Sequence, residues 1–330
     1  MGNNCRCKDA VAAEHEQVTK EDSRAGDPSL REARPEVRFE NGAIFIGQWI
    51  GNSRDGEGVQ VWPDGGKYSG QFIGNKADGV GTFIHADGDV YEGDWLSDRA
   101  HGHGTYRHKD GSMYVGQWVR DQEHGEGSET WPDGTQYRGQ YKDGIKSGTG
   151  TFSWIEGSVY TGQFLDNCIH GEGVYTWGDG RKYHGQWKCS RMHGRGLFSW
   201  SDGRQYCGFY VEDQKSGEGS FTWPDGREYV GQWMRGKQHG FGIFKKGDEA
   251  QQGEWMEGQR LRWLEEDELV EDKKSEGAQK ADVHNRKTAS TLSRRSLPVL
   301  AALTPGTDQT NSKGNKDDDD CDSAVDVVQT

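Results

Sequence analysis

The histidines are the first residues whose spacing suggests chemistry, because imidazole is a common ligand of metal ions. Five of them share one phase of a 23-residue interval: His101, His124, His170, His193 and His239. The ligands of one zinc ion lie about 2.0 to 2.1 Å from it. If each 23-residue interval forms one β-hairpin, as argued below, equivalent positions in successive intervals are roughly 10 Å apart. We therefore expect structural histidines in turns, no metal site and no cofactor; a metal bound between chains is the alternative.

A second cluster, at the N-terminus, has residue types that accept lipid. Gly2 fits N-myristoylation after removal of Met1, although Arg6 stands where the motif prefers Ser or Thr. Cys5 and Cys7 supply positions for a palmitoyl chain, and stable anchoring needs two such signals. We expect dual acylation at Gly2, Cys5 and Cys7, with an unmodified tail as the alternative.

Catalytic and phosphate-binding patterns are missing from the sequence. Among the 50 glycines, neither G-x-G-x-x-G at the start of a helix nor G-x-x-x-x-G-K-[ST] occurs. No Ser/His/Asp or Cys/His set stands apart from the recurring positions, and the polar stretch after Gly258 is too short for a kinase domain. We expect no enzymatic activity.

The elements that carry these residues are defined by a repeat. An aromatic residue, a glycine two positions later and a second aromatic two positions after that recur every 23 residues. The nine copies start at Phe45, Tyr68, Tyr91, Tyr114, Tyr137, Tyr160, Tyr183, Tyr206 and Tyr229. A G-x-G begins eleven residues after each start, from Gly56 to Gly240. Nine copies in one phase predict a repeat architecture.

Each copy also shows the period of two that is typical of a half-buried strand. In Tyr68-Ser69-Gly70-Gln71-Phe72 the aromatic rings and the glycine share one face. A polar turn over 73–78 then leads to a second strand over 79–83, and Asp87-Gly88 turns the chain into the next copy. The predicted fold is all-β: an elongated single-layer antiparallel sheet of stacked hairpins, in which aromatic rings lie over glycines.

The unit Tyr-x-Gly-x-Trp followed by His-Gly-x-Gly and closed by Trp-x-Asp-Gly resembles the MORN (membrane occupation and recognition nexus) repeat over residues 41 to 258. The resemblance implies a scaffold or tether that organises protein partners at a membrane or cytoskeletal surface. Direct phosphoinositide binding by the repeats, or a structural role in cilia or flagella, are the alternatives that it implies.

Six tryptophans share one repeat phase and form an aromatic row along one face: Trp62, Trp131, Trp154, Trp177, Trp200 and Trp223. We expect these rings to stack over glycines. Because an open sheet has no second layer, a groove for an extended peptide or an amphipathic helix is the functional interpretation of the same row.

Charge narrows the class of partner. The formal net charge of −14 disfavours nucleic acid, whose phosphates need a basic surface. A local basic patch at Arg181, Lys182, Lys188 and Arg191 is the candidate site for membrane phospholipids. We expect protein partners, with phospholipids and further copies of the chain as alternatives, and a cytoplasmic location, peripheral at a membrane, the cytoskeleton or a cilium.

The ends differ in composition from the repeats. Residues 1–40 and 277–330 are charged or polar and predict disordered segments. Residues 41–258 hold nine full repeats and a partial tenth, in which Gln251 replaces the first aromatic residue. Residues 259–276 predict a short acidic helix that covers the last hairpin.

Overall fold

The computed structural model describes residues 30–265, which form one open antiparallel sheet of 21 strands. The strands are β1 (Glu32–Arg38), β2 (Ile44–Ile50), β3 (Ser53–Val61), β4 (Lys67–Ile73), β5 (Lys76–Ile84), β6 (Val90–Leu96), β7 (Arg99–Arg107), β8 (Met113–Val119), β9 (Gln122–Thr130), β10 (Gln136–Lys142), β11 (Ile145–Ser153), β12 (Val159–Leu165), β13 (Cys168–Thr176), β14 (Lys182–Lys188), β15 (Arg191–Ser199), β16 (Gln205–Val211), β17 (Gln214–Thr222), β18 (Glu228–Met234), β19 (Lys237–Lys246), β20 (Glu249–Met256) and β21 (Gln259–Trp263). Each strand pairs with its neighbours in chain order. The predicted all-β, single-sheet fold is confirmed.

An unbroken ladder of glycines crosses the sheet from β2 to β20. Gly47 pairs with Gly58, Gly58 pairs with Gly70 and Gly70 pairs with Gly81, and the same pairing continues to Gly253. These backbones approach so closely that a Cβ on Gly70 would lie 2.4 Å from the Cα of Gly81. Each strand from β2 to β20 therefore contributes one glycine to a continuous row that runs across the sheet.

A layer of aromatic rings lies on this ladder and forms the core. The ring of Tyr68 covers the pair Gly70 and Gly81, so that a Cβ on Gly81 would lie 2.3 Å from the Tyr68 hydroxyl oxygen. Tyr68 also makes edge contacts with Phe72 in its own repeat and with Trp95 in the next repeat, at centroid distances of 5.0 and 5.2 Å. We call this side of the sheet the aromatic face and the other side the opposite face.

A β-bulge in each hairpin is stabilised by side chains of the repeat itself. Between β4 and β5 the register shifts between Gly70 and Phe72, which leaves Gln71 out of the regular ladder. The Tyr68 hydroxyl donates to the Gln71 carbonyl oxygen at 2.9 Å, and the Gln71 side chain accepts from the Val80 amide at 3.0 Å. The same acceptor role belongs to Gln48, Asp94, Gln117, Gln140, Gln163, Gln186 and Gln232.

The turn inside each hairpin has only two residues and rests on the preceding repeat. In the third repeat, Ser97 and Asp98 have positive φ angles of 50° and 67°, as a type I′ turn requires. Asp98 accepts from the Ala77 amide at 2.7 Å and donates its own amide to the Ala77 carbonyl at 2.9 Å. The predicted six-residue turn over 73–78 is therefore wrong, since β4 and β5 extend into it.

Both ends of the described range depart from the sequence analysis. Part of the predicted disordered segment 1–40 is strand β1, which pairs with β2, and Pro35 lies at its register shift, where no backbone donor is needed. The predicted helix over 259–276 begins with strand β21, because pairing with β20 extends the ladder. Residues 1–29 and the rest of that helix, with the tail 277–330, lie outside the described residues.

We predict that Gly81→Ala lowers the free energy of unfolding by about 2 to 3 kcal/mol, because its methyl group overlaps the Tyr68 ring. The matched control is Gly66→Ser, since serine stands at this repeat phase at Ser112 and Ser158. The control should change stability by less than about 0.5 kcal/mol in urea unfolding. Equal effects of the two substitutions would contradict the proposed packing.

Candidate functional site on the aromatic face

The tryptophan row lies where the longer strand of a repeat ends in a tight turn. After β3 ends at Val61, the Trp62 amide donates to the Gly66 carbonyl at 2.9 Å. The Gly65 amide donates back to the Trp62 carbonyl at 3.0 Å, and Gly65 has a φ of 98°. The turn predicted from Asp-Gly dipeptides is confirmed here, and it holds each tryptophan at the rim of the aromatic face.

The tryptophans of the row stack on aromatic rings and not on glycines. Trp177 lies 4.5 Å from Tyr175 and 5.2 Å from Phe198, centroid to centroid, and Trp154 lies 4.4 Å from Phe152. The prediction that these rings cover glycines is wrong, because the first aromatic residue of each repeat already occupies the ladder. Trp62, Trp131, Trp154, Trp177, Trp200 and Trp223 are all only partly buried.

Arginines accompany the last three tryptophans of the row. The guanidinium carbons of Arg181, Arg204 and Arg227 lie 5.3, 5.4 and 5.5 Å from the ring centroids of Trp177, Trp200 and Trp223. Each arginine donates through Nε to the aspartate of its own turn at 2.7 Å. Arg204 and Arg227 were not among the predicted site residues, although they share a repeat phase with Arg181.

The predicted basic patch is not a single cluster in the structure. Lys182 and Lys188 lie at opposite ends of β14, roughly 20 Å apart along the strand. Arg191 pairs in register with Lys188 and lies 3.6 Å from the Glu212 carboxylate. Arg181 belongs to the tryptophan row at the other end of β14. The structure therefore groups Arg181 with the aromatic face and separates it from Lys188 and Arg191.

Two lysines at one repeat phase point into the aromatic layer, and the first has a carboxylate partner. The Lys146 ammonium lies 5.1 and 5.2 Å from the ring centroids of Trp131 and Tyr137. It also donates to the Glu129 carboxylate at 2.7 Å. Glu129 replaces the aromatic residue that most other repeats have at this phase, so the ion pair substitutes for a ring contact.

The second lysine, Lys215, lacks such a partner among the described residues. Its ammonium lies 5.0, 5.2, 4.8 and 5.0 Å from the ring centroids of Trp200, Tyr206, Phe221 and Trp233. The position that corresponds to Glu129 is Phe198, which offers no acceptor. Burial, with a smaller effect of the Arg204 charge, lowers the pKa of Lys215 to about 8. Lys215 is thus a cation held in an aromatic box without an anion.

Charge is distributed unevenly along the array. Residues 41–180 contain 10 Lys+Arg and 20 Asp+Glu, a formal charge of −10. Residues 181–246 contain 12 Lys+Arg and 6 Asp+Glu, a formal charge of +6. Lys215 and the three stacked arginines all lie in the second stretch, which is followed by the acidic residues Asp248, Glu249, Glu254 and Glu257.

The recurring histidines lie in strands and not in the turns where we expected them. His101 is in β7, and His170 and His239 are in β13 and β19. The Nδ1 atoms of His170 and His239 are buried without a hydrogen-bond partner. Within residues 30–265 no group of three or more His, Cys, Asp or Glu side chains is arranged to hold a metal ion.

The predicted acylation residues Gly2, Cys5 and Cys7 lie outside the described residues. Within the described range, no helical segment has the length and apolar character needed to span a lipid bilayer.

Comparison with known sequences identifies the repeat. The MORN repeat matches nine consecutive segments: 45–67, 68–90, 91–113, 114–136, 137–159, 160–180, 183–203, 206–226 and 229–249. The resemblance noted in the sequence is therefore confirmed. No curated protein sequence matches the chain.

Solved structures give weaker similarities. The TCP domain of Drosophila melanogaster SAS-4 (dCPAP), in complex with a proline-rich motif of Ana2 (dSTIL), is 12% identical, with 66% of this chain and 98% of that chain covered and a TM-score of 0.28. A mutant TCP10 domain of Danio rerio CPAP is 10% identical, with 70% and 99% covered and a TM-score of 0.25. At these TM-scores, neither similarity carries an argument about this chain.

We predict that Lys215→Met raises the free energy of unfolding by about 1 kcal/mol, because it removes a buried charge and keeps the apolar stem. Methionine stands at this phase as Met192. Lys146→Met should lower the free energy of unfolding by about 2 kcal/mol, since it leaves the half-buried Glu129 without a charge partner and with only the hydrogen bond that the Tyr141 hydroxyl donates at 3.1 Å. Urea unfolding at neutral pH measures both; destabilisation by both substitutions would show that Lys215 is a structural residue.

Proposed function

This chain belongs to the MORN-repeat family, and we propose that it is a non-enzymatic scaffold whose aromatic face holds protein partners. The observation that carries the proposal is the row of six partly buried tryptophans on a sheet with no second layer over the described residues. Half-buried aromatic side chains with a polar rim are typical of protein interfaces. The row is continuous from Trp131 to Trp223, and His85 and His108 separate this part from Trp62.

The use of polar groups within the repeat supports a binding role over catalysis. The tyrosine hydroxyls and glutamine amides that recur in most repeats are bonded to the backbone at the bulges, as at Tyr114 and Gln117. Burial raises the pKa of the core tyrosines, among them Tyr68 and Tyr160, which keeps them protonated as donors. These hydroxyl and amide groups therefore stabilise the fold through their hydrogen bonds.

We further propose that the N-terminal segment tethers the scaffold to a membrane. Gly2 with Cys5 or Cys7 would supply the two acyl signals that stable anchoring needs. The protein would then be peripheral at the plasma membrane or cell cortex, or at a cytoskeletal or ciliary structure beside it. Direct phospholipid binding by the repeats has less support, because the four residues of the proposed basic patch are divided between two ends of a strand.

The tether predicts a graded response to loss of acylation. Gly2→Ala should move the full chain from the membrane pellet to the soluble fraction, whereas Cys5→Ser with Cys7→Ser should weaken retention, because a myristoyl chain alone binds only marginally. Fractionation of cells that express each variant measures this distribution. If all variants stay in the pellet as the parent does, the repeats or a partner hold the protein there.

The scaffold predicts that partners depend on the tryptophan row. Trp154→Leu with Trp177→Leu keeps apolar side chains and removes two rings, and it should abolish proximity labelling of the proteins that the parent labels. The matched control is Val80→Ser with Val115→Ser, which alters apolar residues 58% and 44% exposed on the opposite face. Urea unfolding verifies that each variant is folded. Loss of the same labelled proteins in the control, or no loss in the tryptophan variant, would place the docking surface elsewhere.

A further inference from the structure

The C-terminal part of the aromatic face carries a more specific site, which rests on the proposed scaffold function. We propose that this part binds an acidic, extended peptide of a partner protein, with one glutamate or aspartate carboxylate accepting a hydrogen bond from the Lys215 ammonium. The neighbouring Arg204 and Arg227 receive further carboxylates of the same peptide.

The internal repeat of the chain supplies the first argument. Lys146 and Lys215 share a repeat phase, and both ammonium groups lie against a tryptophan and a tyrosine of their repeats. The Lys146 ammonium is satisfied by the Glu129 carboxylate at 2.7 Å. At Lys215 the corresponding residue is Phe198, so the described residues supply no carboxylate here, and in the proposal the peptide supplies it.

The cost of this arrangement supplies a second argument. Lys215 is half-buried, and a half-buried ammonium without a counter-ion is unfavourable, because its desolvation is not repaid by a charge partner. The only charged neighbour that acts strongly on Lys215 within the described residues is Arg204, and it has the same sign. Both cations lie against the ring of Trp200, at 5.0 and 5.4 Å from its centroid. Two cations beside one ring form a local site for an anion.

The stacked arginines extend the site along the row. Arg204 and Arg227 each use Nε for the turn aspartate at 2.7 Å, and their side chains are 43% and 42% exposed. The terminal nitrogens of such a guanidinium suit a carboxylate, which accepts two parallel hydrogen bonds. Successive repeats are roughly 10 Å apart, and three residues of a polyproline II chain span about 9.3 Å with side chains on one side. The site therefore favours acidic residues at every third position.

The charge distribution selects the same kind of partner. An acidic peptide is attracted to the stretch 181–246, with its formal charge of +6, and repelled by the stretch 41–180, with its formal charge of −10. Complementary potentials of this kind raise association rates and fix the register of binding. The peptide is therefore directed to the last three tryptophans of the row and not to the whole face.

The test is peptide binding to the full chain by fluorescence anisotropy. The labelled probe is three Glu-Ala-Pro units, compared with three Gln-Ala-Pro units and with a shuffled peptide whose glutamates are consecutive. We expect the first probe to bind at least about tenfold more tightly than either comparison, as the loss of charge-assisted hydrogen bonds implies. Equal affinities of the three peptides would overturn the proposal.

Variants locate the site. Lys215→Met should reduce affinity for the glutamate probe by about tenfold, and Arg204→Ser should reduce it too, with serine as at Ser158. Lys182→Met is the matched control, because it removes the same charge from an exposed lysine on the opposite face, and it should leave affinity within about twofold. If Lys182→Met weakens binding as much as Lys215→Met, only net charge matters and the site is refuted.

Two outcomes separate this inference from the proposed function. If the tryptophan variant loses its labelled partners but the glutamate probe does not bind, the scaffold stands and the acidic-peptide site falls. If the probe binds through Lys215 while partner labelling ignores the tryptophan row, the scaffold falls and the site stands. Vesicles of phosphatidylcholine with and without phosphatidylserine form a further arm, and binding to the anionic vesicles through Lys215 without binding of the probe would overturn the proposal in favour of lipid.

Discussion

The structure depends on one steric constraint, which is that glycines face each other on every central strand. The close approach of Gly70 and Gly81 opens a flat strip on the sheet, and the Tyr68 ring fills it with contact distances that no side chain could share. A single sheet normally needs a second layer to bury an apolar face. Here the second layer is the repeat's own row of aromatic rings, which join by edge contacts from one repeat to the next. The chain can therefore be one sheet thick over the described residues.

The glycine strip has a second consequence, because the bulge beside it would leave backbone groups unpaired. In the fourth repeat these groups are the Gln117 carbonyl and the Glu126 amide. The Tyr114 hydroxyl donates to the carbonyl, and the Gln117 side chain accepts from the amide. Most repeats thus satisfy their own bulge, and the turn residues bind the repeat before them, as Asp121 binds Ala100. Contacts are made chiefly between neighbours, as in other linear repeat proteins.

Much of this architecture was predictable from the sequence because it recurs with a fixed period. The 23-residue interval and the alternation around Gly70 identified the hairpins, the two faces and the single open sheet. The short turns were not predictable, because Ser97 and Asp98 adopt positive φ without a glycine and are held by contacts to another repeat. Strands β1 and β21 were not predicted for a related reason. They form by pairing with β2 and β20, and their own sequences lack the repeat pattern.

The candidate site illustrates the same limit. The tryptophan row was predictable because its members share one phase of the repeat. The prediction that these rings cover glycines was wrong, because the register between strands decides which ring reaches the glycines. Lys215 became visible only when its surroundings were compared with those of Lys146, three repeats earlier. In a repeat protein, residues that recur at one phase preserve the fold. Residues that differ between repeats at the same phase are the candidates for partner binding.

Small-angle X-ray scattering on residues 30–265 tests the central claim most directly, which is that the aromatic rings replace a second layer. Twenty strand intervals at about 4.8 Å give a sheet on the order of 95 Å along its contour. The account predicts a radius of gyration well above the value of about 18 Å for a compact domain of this length, with a distance distribution that has a long tail. A radius of gyration near the compact value, with a symmetric distribution, would show that the sheet folds onto itself and would contradict the account.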